Sequence, residues 1–451
     1  MQQNTPIHAP LSPSQSAPLW RLLQATAAAV QATRQGRSLT AQLESVPAEL
    51  RPGVQALSFQ VLRQLGRAMA LRQLLANKTP PPAVDALLCS ALALCWNDAE
   101  AFYPIHTLVN QTVEAARQQR ATQAQSGFVN ACLRRFMRER EVLVQRTDDD
   151  DQAQWNHPAW WVERLKADHP AHWQTLLTQA QKPAPLTLRI NTRHQTVAGY
   201  QEQLHALGVS SQAVGGQGLQ LSKAMPVHLL PGFSDGHVSV QDAAAQLAAP
   251  LLMQDMEATG AWRVLDACAA PGGKTGHLLE LFPNAQVTAL DVDASRCERI
   301  HQNLDRLGVH GQVLAADAGQ PSTWWTGQLF DAILLDAPCT ASGIVRRHPD
   351  VRWLRRPTDS AQLAKTQAAL LKALWPLLKP GGRMLYCTCS VFKTEGDETV
   401  QAFLQRNTQA QLRPSPGHLI PGQPPAGVPV VHNPLGEHDG FYYALLEKRQ
   451  G

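Results

Sequence analysis

The sequence has no apolar run long enough to cross a membrane. Its longest run, from Ala86 to Trp96, is interrupted by Ser90 and falls short of the roughly 18 to 20 apolar residues that span a bilayer. The first residues also lack the basic start and the apolar stretch of a secretory signal. We therefore expect a cytoplasmic protein with no membrane partner.

The cysteines form neither a disulfide framework nor a metal site. Eight cysteines are scattered over 451 residues, and none belongs to the CxxC pairs typical of structural zinc. The one tight pair, Cys387 and Cys389, has a single residue between its members. We expect thiols in a reducing compartment and no bound metal. Four of them are expected to be small core residues, namely Cys89, Cys95, Cys132 and Cys297.

Charge is sparse and unevenly distributed. Charged residues make up 17% of the chain and the net charge is only +4. Residues 1 to 147 nevertheless hold 15 Lys and Arg against 8 Asp and Glu, which leaves 25 against 28 in the remainder. This asymmetry is compatible with a polyanionic partner for the N-terminal third, and equally with a solvated basic face.

The length predicts two or three domains. Residues 1–18 are expected to be a disordered tail, and 19–147 a bundle of helices, because apolar residues recur there at three- and four-residue spacing. The acidic run 148–151 is typical of a linker. Residues 155–240 mix helix and strand patterns and predict a small α+β domain, with one helix over 159–180. From 241 to 451 short apolar strands alternate with helices, which predicts an open α/β sheet.

The chemistry-bearing motifs follow the predicted strands of this last region. The strands are expected at 263–267, 286–292, 312–315, 331–335 and 383–387, with a Pro-rich loop over 414–434 and a final strand at 441–446. In open α/β sheets ligands bind at the carboxyl ends of the parallel strands. The motifs are therefore expected to meet at one edge of the sheet.

A glycine-rich turn, Asp266 to Thr275, follows the first of these strands. A phosphate-binding loop of the form GxxxxGK[ST] would need glycine in place of Cys268, and a dinucleotide fingerprint would need glycine in place of Ala270. Asp291 and Asp317 follow the next two strands, and such acids suit an adenosine ligand without phosphates. S-adenosylmethionine fits this pattern, although either aspartate could instead cap a helix.

Two cysteine motifs follow the fourth and fifth strands, Asp336-Ala337-Pro338-Cys339 and Thr388-Cys389-Ser390. Cytosine C5 becomes nucleophilic only after a group adds at C6, and a thiolate performs that addition well. Asp336 could bind N3 or N4 of such a base. Spacing alone does not separate Cys387 from Cys389 as the attacking thiol. A non-catalytic RNA-binding module, the remaining alternative, would be expected to lose one of these motifs.

The strings DACAAPGGKT, DAPCTASG and TCS resemble the RNA cytosine-5 methyltransferase family. The resemblance implies that Cys389 is the nucleophile and that Cys339 assists release of the product. It implies cofactor contacts at Cys268, Ala269, Ala270, Pro271, Gly272, Gly273, Lys274, Asp291, Asp317 and Asp336. Two departures are visible: Thr340 replaces a usual serine, and Cys387 stands where a small residue is common.

The resemblance extends to the bacterial small-subunit ribosomal RNA methyltransferase B (Fmu/Sun) type within that family, on segments such as 127–135, 188–191 and 346–354. It implies a NusB-like helical RNA-binding domain, a small RNA-binding α+β domain and a Rossmann-like methyltransferase domain. The implied substrate is a cytosine of unassembled or partly assembled 16S ribosomal RNA, and we expect a monomer. Arginine-rich segments predict RNA contacts at Arg134, Arg135, Arg346, Arg347 and Arg352.

Overall fold

A computed structural model describes residues 17–97, 101–423 and 433–450. Most of the expected tail, and part of the expected Pro-rich loop, lie outside the described residues. The contacts group the chain into two compact units. Unit 1 runs to Glu163 and includes His348–Arg355, and unit 2 comprises Arg164–Arg347 together with the chain from Arg356 onward. Among the described residues, no helix is long and apolar enough to span a membrane.

Unit 1 is helical, as the sequence predicts. Its helices include α1 (Leu19–Arg34), α2 (Leu39–Glu44), α3 (Arg51–Arg63), α4 (Leu65–Leu75), α5 (Pro82–Cys95), α6 (Ile105–Gln118), α7 (Ser126–Gln145) and α8 (Asp151–Trp155). Prolines mark two helix starts, because Pro52 lies in the first turn of α3 and Pro82 begins α5. The periodic apolar residues Val54, Leu57 and Val61 are buried in the core of the bundle.

The acidic run expected to be a linker is instead part of unit 1. The side chain of Asp150 accepts a hydrogen bond from the Gln152 amide and so caps α8. The carboxylate of Asp148 lies 2.5 Å from the guanidinium of Arg67. Helix α8 packs closely on α4, since a Cβ at Gly66 would come within 2.2 Å of the Gln152 carbonyl oxygen.

Residues His348–Arg355 also pack within unit 1, although the chain reaches them from unit 2. They contain α15 (Val351–Leu354). The Asp350 carboxylate accepts a hydrogen bond from the Leu39 amide at 3.0 Å, and the Trp353 indole donates to the Leu62 carbonyl at 2.8 Å. The sequence pattern does not predict this association.

The smaller sheet of unit 2 is antiparallel and has the strand order β2-β3-β1-β4. Its strands are β1 (Thr187–Ile190), β2 (Ser211–Val214), β3 (Gly218–Leu221) and β4 (Val238–Val240). Two helices belong to this part of the chain, α10 (Trp173–Gln181) and α11 (Val197–Ala206), and α9 (Ala159–Asp168) begins in unit 1 and ends in unit 2. The single helix expected over 159–180 is therefore two helices, because Pro170 interrupts the backbone hydrogen bonding.

The larger sheet has seven strands in the order β10-β11-β9-β8-β5-β6-β7. They are β5 (Arg263–Asp266), β6 (Gln286–Asp291), β7 (Gln312–Ala315), β8 (Phe330–Asp336), β9 (Leu378–Thr388), β10 (Ala410–Leu419) and β11 (Phe441–Lys448). Strands β5 to β9 pair in parallel, as predicted, whereas β10 and β11 add antiparallel pairs. The expected loop from Pro414 begins inside β10, where prolines are tolerated because β10 is an edge strand.

The order of the strands reverses between β5 and β8. From β5 the chain proceeds to β6 and β7 on one side, and β8 and β9 lie on the other. Such a switch point opens a crevice at the carboxyl ends of the strands. The helices of this region are α12 (Ala248–Leu252), α13 (Gly273–Leu281), α14 (Ala294–Leu307), α16 (Asp359–Leu374) and α17 (Asp397–Arg406).

Candidate active site

The parallel register brings the predicted motifs to one edge of the larger sheet. Asp266 is paired in register with Leu334, and Asp336 with Cys387. The glycine-rich turn that follows β5, the Cys339 loop (residues 337–343) that follows β8 and the Cys389 loop (residues 388–392) that follows β9 therefore start from neighbouring strands. This edge includes the switch point.

The glycine-rich turn requires glycine at its end. Gly272 has φ +93°, and a Cβ there would come within 3.1 Å of the Ile300 side chain. The Gly272 amide donates to the Ala269 carbonyl at 2.7 Å, and α13 begins at the next residue. Backbone amides at a helix start are suited to a polar or anionic ligand group.

The acid after β6 is tied to this turn. The buried carboxylate of Asp291 accepts hydrogen bonds from the Ala270 amide at 3.2 Å and from the Asp293 amide at 3.1 Å. Helix α14 is capped by Asp293, so the capping alternative for Asp291 is wrong. Asp317 is exposed and accepts from the Gly319 amide at 2.8 Å, and it caps no α-helix.

Asp336 and Lys274 form an ion pair beside the cysteines. The Lys274 ammonium lies 2.5 Å from the Asp336 carboxylate and 5.6 Å from the centre of the Phe441 ring. Burial lowers the pKa of Lys274, but the charge and hydrogen bond of Asp336 together with the neighbouring thiols outweigh burial, and the pKa is raised above its ordinary value. Lys274 therefore stays charged beside Asp336.

Two of the four cysteines near this edge face each other. The sulfur atoms of Cys339 and Cys389 are 3.4 Å apart, and both residues are half-buried. The hydrogen bond to Cys389 and burial raise the pKa of the Cys339 thiol well above its ordinary value, so Cys339 is a neutral thiol near neutral pH.

Cys387 has different surroundings. It is completely buried and packs in the apolar core, and its thiol donates a weak hydrogen bond to Asp336 at 3.5 Å. Burial raises the pKa of this thiol well above its ordinary value. These surroundings favour a structural role for Cys387 and separate it from Cys389, which spacing alone does not do.

The small sheet supports the turn through Arg189, whose contribution the sequence pattern alone does not indicate. The Arg189 guanidinium forms a fully buried ion pair with Glu280 of α13 at 2.6 Å. It also donates to the Gly273 carbonyl at 2.8 Å and to the Gln241 side chain at 2.5 Å. Arg189 thus fixes the first and last parts of the helix that begins at the glycine-rich turn.

The predicted RNA-binding arginines fall into two groups. Arg134 of α7 is exposed, and Arg135 is half-buried beside Glu139. The Arg346 and Arg347 side chains instead share the two oxygens of the buried Asp439 carboxylate, each at 2.5 Å.

Arg352 is completely buried and donates to the Asn156 carbonyl at 3.3 Å. Burial lowers the pKa of Arg352 to about 9. Arg346 and Arg352 point inward, and this orientation does not support direct contacts between them and RNA. Those RNA contacts stay predictions. A pattern of charges along the sequence does not distinguish an arginine paired inside the fold from one that faces a phosphate.

Among the described residues, no group of three or more His, Cys, Asp or Glu side chains is arranged to hold a metal ion. The groups that meet at this edge are two adjacent thiols, a lysine-paired carboxylate and a glycine-rich turn with an acid beside it.

Comparisons with known proteins cover nearly the whole chain. The family model described as 16S rRNA methyltransferase RsmB/F matches residues 253–447, the RsmF/B-like ferredoxin-like domain matches 157–228, and the NusB family matches 20–138. Ribosomal RNA small subunit methyltransferase B of Vibrio cholerae is 39% identical, covering 94% of this chain and 96% of that protein.

Ribosomal RNA small subunit methyltransferase B of Pseudomonas syringae pv. tomato is 41% identical, with 91% and 92% of the two chains covered. The solved structure of the protein PH0851 superposes with a TM-score of 0.73 at 25% identity, over 94% of this chain and 99% of that one. The predicted three-part fold, with a NusB-like bundle, a small α+β domain and a Rossmann-like sheet, is confirmed.

The buried carboxyl of Asp266, at the end of β5, predicts a pH-dependent stability. Burial raises the pKa of Asp266 from 3.8 to about 7, although a hydrogen bond from Thr275 acts in the opposite direction. The fold therefore favours the protonated form. Its stabilising contribution is complete below the ordinary pKa of 3.8 and is lost as pH rises through about 7.

We expect Asp266→Asn to remove this dependence. The free energy of unfolding of the wild type, relative to that of the variant, should fall by a few kcal/mol between about pH 4 and pH 7, because each pKa unit corresponds to about 1.4 kcal/mol. Urea unfolding at a series of pH values measures it. Asp305→Asn, on the exposed face of α14, is the matched control and should run parallel to the wild type. A pH-independent difference between wild type and Asp266→Asn would contradict the prediction.

Proposed function

Because the chain belongs to the 16S rRNA methyltransferase RsmB/F family, and is dependent on S-adenosylmethionine as that family is, we propose that it methylates C5 of a cytosine in 16S ribosomal RNA through a covalent adduct between Cys389 and C6. The observation that carries this proposal is the 3.4 Å contact between the Cys339 and Cys389 sulfurs beside the glycine-rich turn. Methylation of a nitrogen or of a ribose oxygen needs no thiol, whereas methylation at C5 needs a nucleophile for C6.

The cofactor-side residues fit S-adenosylmethionine. The cofactor supplies an electrophilic methyl group on a sulfonium. Asp291 lies at the end of β6, where a carboxylate accepts hydrogen bonds from ribose hydroxyls in nucleotide-binding α/β folds. One buried oxygen of Asp266 has no hydrogen-bond partner among the described residues, and it suits an ammonium group such as that of the methionine portion.

The base-side residues divide the chemistry between them. The Cys389 thiolate adds to C6 and makes C5 nucleophilic, and Asp336, which is paired with Lys274, accepts a hydrogen bond from the N4 amino group. After methyl transfer the proton at C5 leaves to water and the bond between C6 and the Cys389 sulfur breaks. Cys339, a neutral thiol in contact with that sulfur, protonates it as it departs.

The helical bundle would supply RNA affinity. A polar groove between α6 and α7 is lined by residues that include Arg117, Asn130 and Arg134, and Arg135 lies nearby on α7. Arginine pairs well with phosphate and stacks on unpaired bases. We propose that unassembled or partly assembled 16S ribosomal RNA binds to this face. Internal contacts are then the main role of Arg346, Arg347 and Arg352. We also propose that the enzyme acts in the cytoplasm as a monomer.

The role of Asp291 predicts a specific loss of cofactor affinity. Asp291→Ala should weaken binding of S-adenosylhomocysteine by about tenfold to a hundredfold, because hydrogen bonds to a charged group contribute about 1.5–3 kcal/mol. Isothermal titration calorimetry measures the affinity, and far-UV circular dichroism checks the fold. Asp293→Ser is the matched control, since serine also caps helices and Asp293 is exposed. Unchanged affinity in a folded Asp291→Ala protein would refute the assignment.

Substitutions of the two facing cysteines should block different steps of the reaction. Cys389→Ala should abolish both methylation and covalent attachment, because no adduct at C6 can form. Cys339→Ala should permit attack and methyl transfer but stall release, so that an adduct of RNA and protein survives denaturing electrophoresis. The assay uses 16S ribosomal RNA and S-adenosylmethionine, with methyl transfer followed in parallel.

Cys387→Ala is the matched control for this pair. It should retain activity, with a modest loss of stability from the small cavity that it leaves in the core. A stable adduct with Cys389→Ala and none with Cys339→Ala would show that the roles are reversed, as in the DNA cytosine methyltransferases, whose nucleophile follows a proline.

A further inference from the structure

A buried carboxylate lies between the two cysteine loops and has no place in the chemistry described so far. Glu395 ends a short helical turn, Lys393–Glu395, just before α17, and its side chain is completely buried. A buried carboxylate is costly unless strong hydrogen bonds compensate for its lost hydration. The hydrogen-bond partners of Glu395 therefore indicate which part of the structure the buried carboxylate holds in place.

Both cysteine loops supply partners, and Gln367 of α16 adds a longer hydrogen bond at 3.4 Å. One Glu395 oxygen accepts a hydrogen bond from the Thr340 amide at 2.8 Å, and the other accepts from the Thr340 hydroxyl at 2.5 Å and from the Ser390 hydroxyl at 2.6 Å. Thr340 directly follows Cys339, and Ser390 directly follows Cys389. A single carboxylate thus binds the residue next to each reacting thiol.

Further hydrogen bonds close the same junction. The Ser342 and Ser390 hydroxyls are 2.9 Å apart, and the Gly343 amide donates to the Cys389 carbonyl at 2.9 Å. The loops also approach Gly440, whose carbonyl oxygen would lie 2.0 Å from a Cβ at Gly343. The chain that follows each thiol is therefore fixed to the other loop, with Glu395 at the point where the loops meet.

We propose that Glu395 is a positioning residue that sets the separation of the Cys339 and Cys389 thiols and thereby the rate at which the covalent adduct is released. The part concerning release rests on the proposed function, whereas the part concerning thiol separation does not. Proton transfer between two groups requires contact, so a small increase in the distance between the sulfurs slows release much more than attack on C6.

The sequence departure at residue 340 is consistent with this role. Threonine replaces a usual serine there, but it keeps the hydroxyl that binds Glu395. The hydroxyl group is what the Thr340 side chain contributes to this contact, and isosteric Thr340→Val removes it without changing the volume of the side chain.

The first experiment measures thiol separation without RNA. Diamide accepts two electrons and two protons from a pair of thiols in contact and leaves a disulfide. We expect diamide to form a disulfide between Cys339 and Cys389 in the wild type, which mass spectrometry can map. Disulfide formation should be about tenfold slower in Glu395→Gln and Thr340→Val, because a hydrogen bond to a charged group is lost. Equal rates in folded variants would overturn the proposal.

The second experiment measures the two halves of the reaction in single turnovers, on denaturing gels. Glu395→Gln and Thr340→Val should slow decay of the RNA adduct by about tenfold relative to its formation, with the KM for RNA and the affinity for S-adenosylhomocysteine unchanged. Thr340→Ser, which keeps the hydroxyl group, should retain the wild-type ratio of adduct decay to adduct formation. An unchanged ratio in Glu395→Gln and Thr340→Val would overturn the role in release.

Tyr386→Phe is the matched control for a purely structural effect. The Tyr386 hydroxyl donates to the backbone carbonyl of Glu395 at 2.7 Å in the same buried region, but it does not hold the carboxylate. This variant should lower the melting temperature and leave the ratio of rates unchanged, and an altered ratio would overturn the assignment to the carboxylate. The wild type could form the Cys339–Cys389 disulfide with diamide and yet transfer methyl groups without any RNA adduct. In that case the proposed function would be wrong, while the role of Glu395 in setting the thiol separation would stand.

Discussion

The parallel pairing of β8 with both β5 and β9 is the constraint on which the rest of the site depends. It aligns Asp336 with Cys387 and Asp266 with Leu334, so that three loops leave neighbouring strands at the same edge of the sheet. The cofactor turn, the Cys339 loop and the Cys389 loop meet there because the strand order reverses between β5 and β8.

Buried charges then hold these loops in place. Arg189 with Glu280 fixes α13 behind the cofactor turn, Asp439 fixes the chain after the Cys339 loop through Arg346, and Glu395 joins the two cysteine loops. Buried ion pairs contribute little net stability, and breaking one is costly because an unpaired charge remains. Their contribution here is to geometry: each removes alternative positions for a loop that carries a reacting or binding group.

The sequence was sufficient for the positions of the parallel strands and for their common edge, because short apolar runs and the motifs that follow them are local signals. It was insufficient where a distant contact decides. The arginines of 346–352 have the composition of an RNA-binding patch, but in the structure Arg346 pairs with Asp439 and Arg352 donates to Asn156. Glu395 belongs to no motif in the sequence, and only the structure shows that it is buried. Prolines in β10 conceal an edge strand, since proline usually indicates a loop.

Release of tritium from C5 tests the central claim most directly. In 16S ribosomal RNA labelled with tritium at cytosine C5, methylation at that carbon must expel the label, whereas methylation of a nitrogen or a ribose oxygen leaves it in place. The account predicts one tritium released into water for each methyl group transferred from S-adenosylmethionine. Methyl transfer with the tritium retained would contradict it.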